Sequence, residues 1–195
     1  MVEQSQRDPA RGSADLRAAL PQGGTVSAAI RPATLADIRA LAAIEAGAFL
    51  SDRLTVRALK HLIARANAAT FVHRAADGAI SGYAAVLFHR RRQSARLYSI
   101  AVAYAYRRFG HGAALLAAAE QAAAARGATT MTLEVRADTP SAQRFYAMHG
   151  YSVFGERRRY YADGADARKM RKALPPRQGV ADGGSTLSAA PVIKA

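Results

Sequence analysis

Cysteine is absent from the 195 residues. That excludes disulfides, thiolate zinc sites and a cysteine nucleophile, and it suits a reducing compartment. Acidic residues are scarce: 14 Asp and Glu stand against 28 Lys and Arg, a net charge of +14. Of these, 23 cations and 10 carboxylates fall within residues 29–174, so the excess belongs to the central region and not to the ends. Arginine far outnumbers lysine, and a guanidinium can fork two hydrogen bonds onto phosphate or carboxylate. Such a field draws in anionic small molecules, RNA or the ribosome, and acidic proteins alike, and charge alone does not choose among them. No apolar stretch approaches the ~20 residues of a membrane span. The first residues, Met-Val-Glu-Gln-Ser-Gln-Arg-Asp, place no apolar run behind a basic start. The expectation is a soluble, cytoplasmic protein with no membrane partner. The histidines His61, His73, His89, His111 and His149 form neither a His-x-His nor a His-Glu-x-x-His spacing, so no metal site is expected. No Gly-x-Ser-x-Gly elbow is present either, which argues against a hydrolase triad.

What is present is one domain's worth of chain, half of it apolar. Residues 1–27 and 175–195 are small and polar, with Gly23-Gly24 near the end of the first and Pro175-Pro176 opening the second; both read as disordered tails. Residues 28–174 between them alternate strand and helix patterns. Strands are expected at 29–32, 70–74, 80–89, 96–104, 129–136, 151–161 and 167–174, with Asp77-Gly78 turning a hairpin. Helices are expected at 34–48, where Thr34 and Asp37 make a box-like start, at 55–66, and at 110–126, where Gly127 stops the helix. A short helix ending at Gly150 has Thr139 as its cap and Pro140 at its first position. The expected fold is an α/β (α+β) single domain: a central mixed, mostly antiparallel twisted sheet with helices on both faces.

The most informative stretch runs from Tyr98 to Leu116: a buried strand, a short connection, Gly110 and Gly112, then an Ala- and Leu-rich helix. Glycines at a helix mouth let backbone N–H groups approach a bulky anion, and the first helical N–H groups lack intrahelical partners at the positive end of the dipole. Together they make a diphosphate cradle. A P-loop needs Lys-Ser or Lys-Thr after its last glycine, and Ala113-Ala114 stands there instead. A dinucleotide fingerprint needs a third small residue where Leu115 stands, although Glu134 occupies the place of its acidic residue. A nucleotide-binding or RNA-binding module therefore stays open on the residues alone.

The pattern Arg107-Arg108-Phe109-Gly110-His111-Gly112 resembles the acetyl-CoA loop of the GCN5-related N-acetyltransferases, the GNAT superfamily. Leu133-Glu134-Val135-Arg136-Ala137-Asp138, the run from Phe145 to Tyr151, and Arg158-Arg159-Tyr160-Tyr161 are similar to the branch that acetylates the N-terminal alanine of a ribosomal protein. The family commonly has an asparagine where this chain has Thr139, whose hydroxyl reaches less far toward the CoA arm.

The resemblance implies acetyl-CoA as co-substrate, no metal, and a primary amine as acceptor, in first place a protein N-terminal α-amine and otherwise a lysine or small molecule. Backbone of Ile100, Ala101 and Val102 would hold the pantetheine arm like an added strand. Arg107, Arg108, Phe109, Gly110, His111, Gly112 and Ala113 would take the diphosphate, with Thr139 at the CoA arm. Glu134 would be the base and Tyr146 the acid; Arg158, Tyr160 and Tyr161 would line the acceptor groove. Bland alternatives accompany these roles: a Glu–Arg pair or solvated edge for Glu134, packing beside Phe145 for Tyr146. His111 is expected to face solvent, and Arg90–Arg92 with Arg96 to be solvated loop charge.

Overall fold

The computed structural model describes residues 29–175 except 50, 51, 66 and 90–92. Residues 1–27 and 176–195, read as tails, and the basic run at 90–92 lie outside the described residues. Seven strands form one sheet: β1 (Ile30–Pro32), β2 (Ala68–Arg74), β3 (Ile80–Phe88), β4 (Ser94–Val102), β5 (Thr130–Arg136), β6 (Ser152–Arg157) and β7 (Ala167–Ala173), in the order β1-β2-β3-β4-β5-β7-β6. Every neighbouring pair is antiparallel except β4 and β5, which run parallel. The four helices are α1 (Ile38–Ala48), α2 (Val56–Ala64), α3 (His111–Ala125) and α4 (Pro140–Met148).

Two cores lie on the two faces of the sheet. On one, Ile38, Leu41 and Ile44 of α1 and Leu59 and Leu62 of α2 pack on Val72, Tyr83, Ala85 and Ala101. On the other, Leu115, Leu116, Ala119 and Ala123 of α3 and Tyr146 of α4 pack on Ala84, Val86, Leu97, Met131, Leu133 and Val135. β3 is buried from Ser81 to Val86, as a strand covered on both faces must be. Gly82 lies under α3. A Cβ there would stand 2.7 Å from the Ala101 carbonyl oxygen and 3.0 Å from Leu115, so only glycine admits this approach.

Most expected elements form, with informative differences at their ends. The first helix begins as a 3-10 turn over Leu35–Asp37 before α1. Asp37 accepts from the Thr34 N–H at 2.8 Å and takes a two-pronged grip from Arg31 at 2.8 and 2.7 Å. β4 ends at Val102 and gives way to a 3-10 turn over Tyr104–Tyr106. β6 stops at Arg157, short of the expected Tyr161, because Arg159 adopts φ 49° and its N–H bonds Asp166 at 2.8 Å. Tyr160 and Tyr161 therefore stand on a loop. Thr139 occupies the N-cap position of α4 but makes no side-chain cap bond; its hydroxyl donates to Asp138 at 3.2 Å. No helix among the described residues is long and apolar enough to cross a membrane.

Two outcomes test this packing. Gly82→Ala should destabilise the fold by about 1–3 kcal/mol through overpacking under α3, read by chemical denaturation. The Arg31 grip holds the Asp37 carboxyl down to about 2. Its contribution is thus full above the ordinary carboxylate value near ~3.9 and is lost as pH falls through about 2. Asp37→Asn should lower the melting temperature at pH 7, and the difference from the parent chain should close between pH 4 and pH 2.

Candidate active site

β4 and β5 bond to each other only where Ser94, Ala95 and Arg96 meet Thr130, Met131 and Thr132. Beyond these pairs the strands part. Just past the fork β4 carries a bulge: Ala85 pairs with Ser99 and Val86 with Leu97, leaving Tyr98 as the extra residue. The wedge opens into a cavity of about 980 Å³. Arg96–Ile100 of β4 and Leu133–Arg136 of β5 form two of its walls, Thr139, Ala142 and Tyr146 a third, and the β6–β7 loop a fourth through Tyr160, Tyr161 and Asp163. Glu45 at the end of α1, with Asp52 and Leu54 after it, completes the lining.

Alternation along β5 buries Met131, Leu133 and Val135 and turns Glu134 to the cavity side. Arg96 Nε bonds Glu134 Oε2 at 2.8 Å, and a second Arg96 nitrogen donates to the Tyr160 hydroxyl at 2.7 Å. Arg96, read as solvated charge, is thus a cavity residue that joins the base candidate to the acceptor-side loop. The Glu–Arg pair and the cavity position hold together. Tyr146 lines the cavity with its ring edge-on to Phe145 at 5.3 Å and to Tyr151 at 5.7 Å. Burial raises its hydroxyl above the ordinary phenol value, so Tyr146 is protonated across the neutral range. Burial, with Tyr160 adding, pushes the Tyr161 hydroxyl up to about 12. Arg136 stacks over the Tyr161 ring at 4.9 Å while bonding Asp138 and Asp163 at 2.7 and 2.8 Å. The Ala162 N–H donates to Asp52 at 3.1 Å and ties the β6–β7 loop to the segment after α1.

At the far end of the splayed edge, Arg107 Nε donates to the Val102 carbonyl at 3.2 Å and fixes the glycine loop to β4. Gly110 is the N-cap of α3 with φ 82°, a left-handed conformation that suits glycine, and Arg108 is also left-handed at φ 70°. No side chain caps the helix, and the Ala114 N–H is the first to bond back, to the Gly110 carbonyl at 3.0 Å. The N–H groups of His111, Gly112 and Ala113 have no intrahelical partner. Gly112 sits over Val102 and Phe145, where a Cβ would meet only ordinary contacts at 3.7 Å.

His111, expected to face solvent, is half-buried. Its ring stacks on His73 at 4.0 Å, its Nδ1 is buried with no partner, and burial lowers the pKa of both rings. Phe109 is exposed and so is Arg158, which stands outside the cavity lining that takes in Tyr160 and Tyr161. The Ala101 side chain packs on the α1–α2 face, so only its backbone could serve a ligand. Among the described residues no group of three or more His, Asp or Glu could hold a metal ion.

Sequence reasoning passed over Glu45, Asp52, Tyr83 and Ser99. Glu45 has one readable signal, since it falls on the buried stripe of α1 with Ile38, Leu41 and Ile44. It is 1% exposed; its Oε2 accepts the Leu54 N–H at 2.6 Å and its Oε1 the Tyr83 hydroxyl. The Tyr83 oxygen lies 2.7 Å from Ser99 Oγ.

The family model described as "Acetyltransferase (GNAT) domain" matches residues 36–174. Among solved structures, the ribosomal-protein-S18-alanine N-acetyltransferase from Escherichia coli is 28% identical at a TM-score of 0.67, covering 74% of this chain and 92% of that one. Ard1 from Thermoplasma volcanium is 26% identical at 0.69, covering 75% and 97%. Naa20 from Chaetomium thermophilum, in complex with a bisubstrate analogue, is 25% identical at 0.66, covering 74% and 86%. No match was found among curated proteins. With a parted strand pair, a helix whose first N–H groups are free and a family match over most of the described residues, the chain belongs to the GNAT family of acetyltransferases.

Proposed function

We propose that the protein moves the acetyl group of acetyl-CoA onto the free α-amine of a polypeptide N-terminus, with a ribosomal protein as the first candidate. The charge of the cavity carries this reading. Five of the ten carboxylates in residues 29–174 line one cavity of a chain that is otherwise strongly cationic: Glu45, Asp52, Glu134, Asp138 and Asp163. Such a cavity attracts an ammonium group, while the surface field suits an anionic donor and the RNA-rich surroundings of a ribosome. The resemblance to the ribosomal-protein acetyltransferase supports the same acceptor. An α-amine, with a pKa near ~8, gives up its proton with less help than a lysine near ~10.4.

In this reading the edge of β4 from Ile100 to Val102 holds the pantetheine arm, and the N–H groups at the start of α3 hold the diphosphate. The chain has no cysteine, so the amine attacks the thioester directly. Glu134, through water or directly, takes a proton from nitrogen, and Tyr146 gives one to the departing sulfur. Tyr160 and Tyr161 flank the acceptor, with Arg96 fixing Tyr160 relative to Glu134. Arg158 enters only as a charge at the rim.

A peptide panel separates the acceptor classes. Peptides with a free N-terminus should be acetylated on the α-nitrogen, and the same peptides blocked there but carrying lysine should not; transfer only to lysine or to small amines overturns the α-amine reading. Gly112→Val should weaken acetyl-CoA binding severely with little change in melting temperature, and unchanged affinity by calorimetry would remove the cradle assignment. Glu134→Gln should slow turnover by ~10²–10⁴ with acetyl-CoA affinity kept, the deficit shrinking as pH rises. Tyr146→Phe should slow it by a similar order. Normal turnover of the glutamine variant from pH 6 to 9 would leave Glu134 as a structural partner of Arg96.

A further inference from the structure

Glu45 is buried with no cation beside it among the described residues, whereas Glu134 shares its charge with Arg96. A carboxylate in that position is tolerated only when hydrogen bonds replace its water. One comes from the Leu54 N–H, and the other is the Tyr83 hydroxyl. A phenol has one proton to give. Having given it to Glu45, the Tyr83 oxygen can only accept, so Ser99 is the donor in the 2.7 Å contact between them. Ser99 lines the cavity on the splayed part of β4, next to Ile100. Its own lone pairs then remain for a donor in the cavity. Each O–H of the chain points inward, from cavity to carboxylate. Holding the segment after α1 in place needs only the Leu54 bond; the two hydroxyls that extend the line to the cavity wall add nothing to that task.

We propose that Ser99, Tyr83 and Glu45 form a proton relay from the cavity to a buried carboxylate, parallel to Glu134, that takes up one of the two protons the acceptor nitrogen must lose. An amine arriving as ammonium first loses one proton, which frees the nitrogen lone pair; that pair forms the bond to the acetyl carbon as the carbon–sulfur bond breaks, and the carbon–sulfur pair leaves on sulfur. The nitrogen sheds two protons in all. One goes to Glu134; the other goes to Ser99 as Ser99 passes its own to Tyr83 and Tyr83 passes its own to Glu45. Sulfur takes the Tyr146 proton. One of the two held protons then restores Tyr146, and the other leaves to solvent along the path by which it came. Burial raises the Tyr83 hydroxyl above its ordinary range, so Tyr83 hands a proton on by exchange and does not ionise. The inference rests on acetyl transfer to an amine in this cavity, not on which amine is used.

Ser99→Ala cuts the chain at its cavity end and leaves the Tyr83–Glu45 bond in place. The assay uses whichever of a peptide α-amine, a peptide lysine or a polyamine the parent enzyme acetylates fastest, so an error in the acceptor class leaves the test standing. The alanine variant should lose kcat on the order of 10²-fold, with KM and calorimetric affinity for acetyl-CoA and the melting temperature unchanged. The deficit should narrow as pH rises, and Ser99→Thr, which keeps a hydroxyl, should recover most of the rate. Tyr83→Phe should show the same kcat loss and the same pH dependence, with its melting temperature recorded to separate any loss of packing. Parent-like kcat in Ser99→Ala, a loss that does not vary with pH, or a loss that threonine fails to rescue would each overturn the relay.

Discussion

Parallel strands in a sheet normally bond along their shared length, and β4 and β5 stop after three residue pairs. Backbone groups facing the gap need partners from elsewhere, because buried N–H and C=O groups are seldom left unpaired. An extended ligand with amides of its own meets that need as a substitute strand, which is the form of a pantetheine arm. The gap stays open because each strand is held from its other side, β4 by seven pairs with β3 and β5 by seven with β7. The positions of the glycine loop, the cavity and the facing helices follow from that fork. Val102, at the end of the parted edge, receives Arg107 and lies under Gly112, so the cavity and the cradle are two ends of one exposed backbone edge.

Charge is sorted as sharply as backbone bonding. Arg96 and Arg136 each neutralise cavity carboxylates on the β5 side, and Arg136 holds both Asp138 and Asp163. On the α1 side, Glu45 and Asp52 form no ion pair among the described residues and are held instead by peptide N–H groups and a phenol. A cationic group entering the cavity therefore meets carboxylates in ion pairs on one wall and, on the other, carboxylates outside any ion pair among the described residues, with Arg53 nearby in the lining. In the proposed reaction that asymmetry would help Tyr160 and Tyr161 orient the acceptor amine.

Much of this was legible in the residues. The glycine loop, the long helix behind it, the alternation that turns Glu134 outward and the hairpin at Asp77-Gly78 are local properties written in spacing and turn chemistry. The features that escaped are those set by distant partners. Arg96 looks like solvated charge until β5 brings Glu134 beside it. Tyr160 and Tyr161 read as strand until Asp166 captures the Arg159 N–H and breaks β6 early. His111 looks like an exposed loop residue until β2 places His73 against its ring. Thr139 has the right place for a cap, and its neighbour Asp138 claims the hydroxyl.

Tyr98 is one residue more than the β3–β4 ladder needs. On a pleated strand the side a residue faces is settled by parity, and one extra residue inverts every side chain beyond it. Leu97 thus packs with α3 and Ala101 with α1 although an even number of positions separates them, and Ser99 meets Tyr83 only because of the inversion. Held in a regular ladder, Tyr98 would turn Ser99 toward α3, whereas losing the Tyr98 codon would leave Ser99 opposite Ala85 on the Tyr83 face. The bulge thus lets β4 carry one residue more at this wall of the cavity without changing which side chains meet Tyr83 and which meet α3.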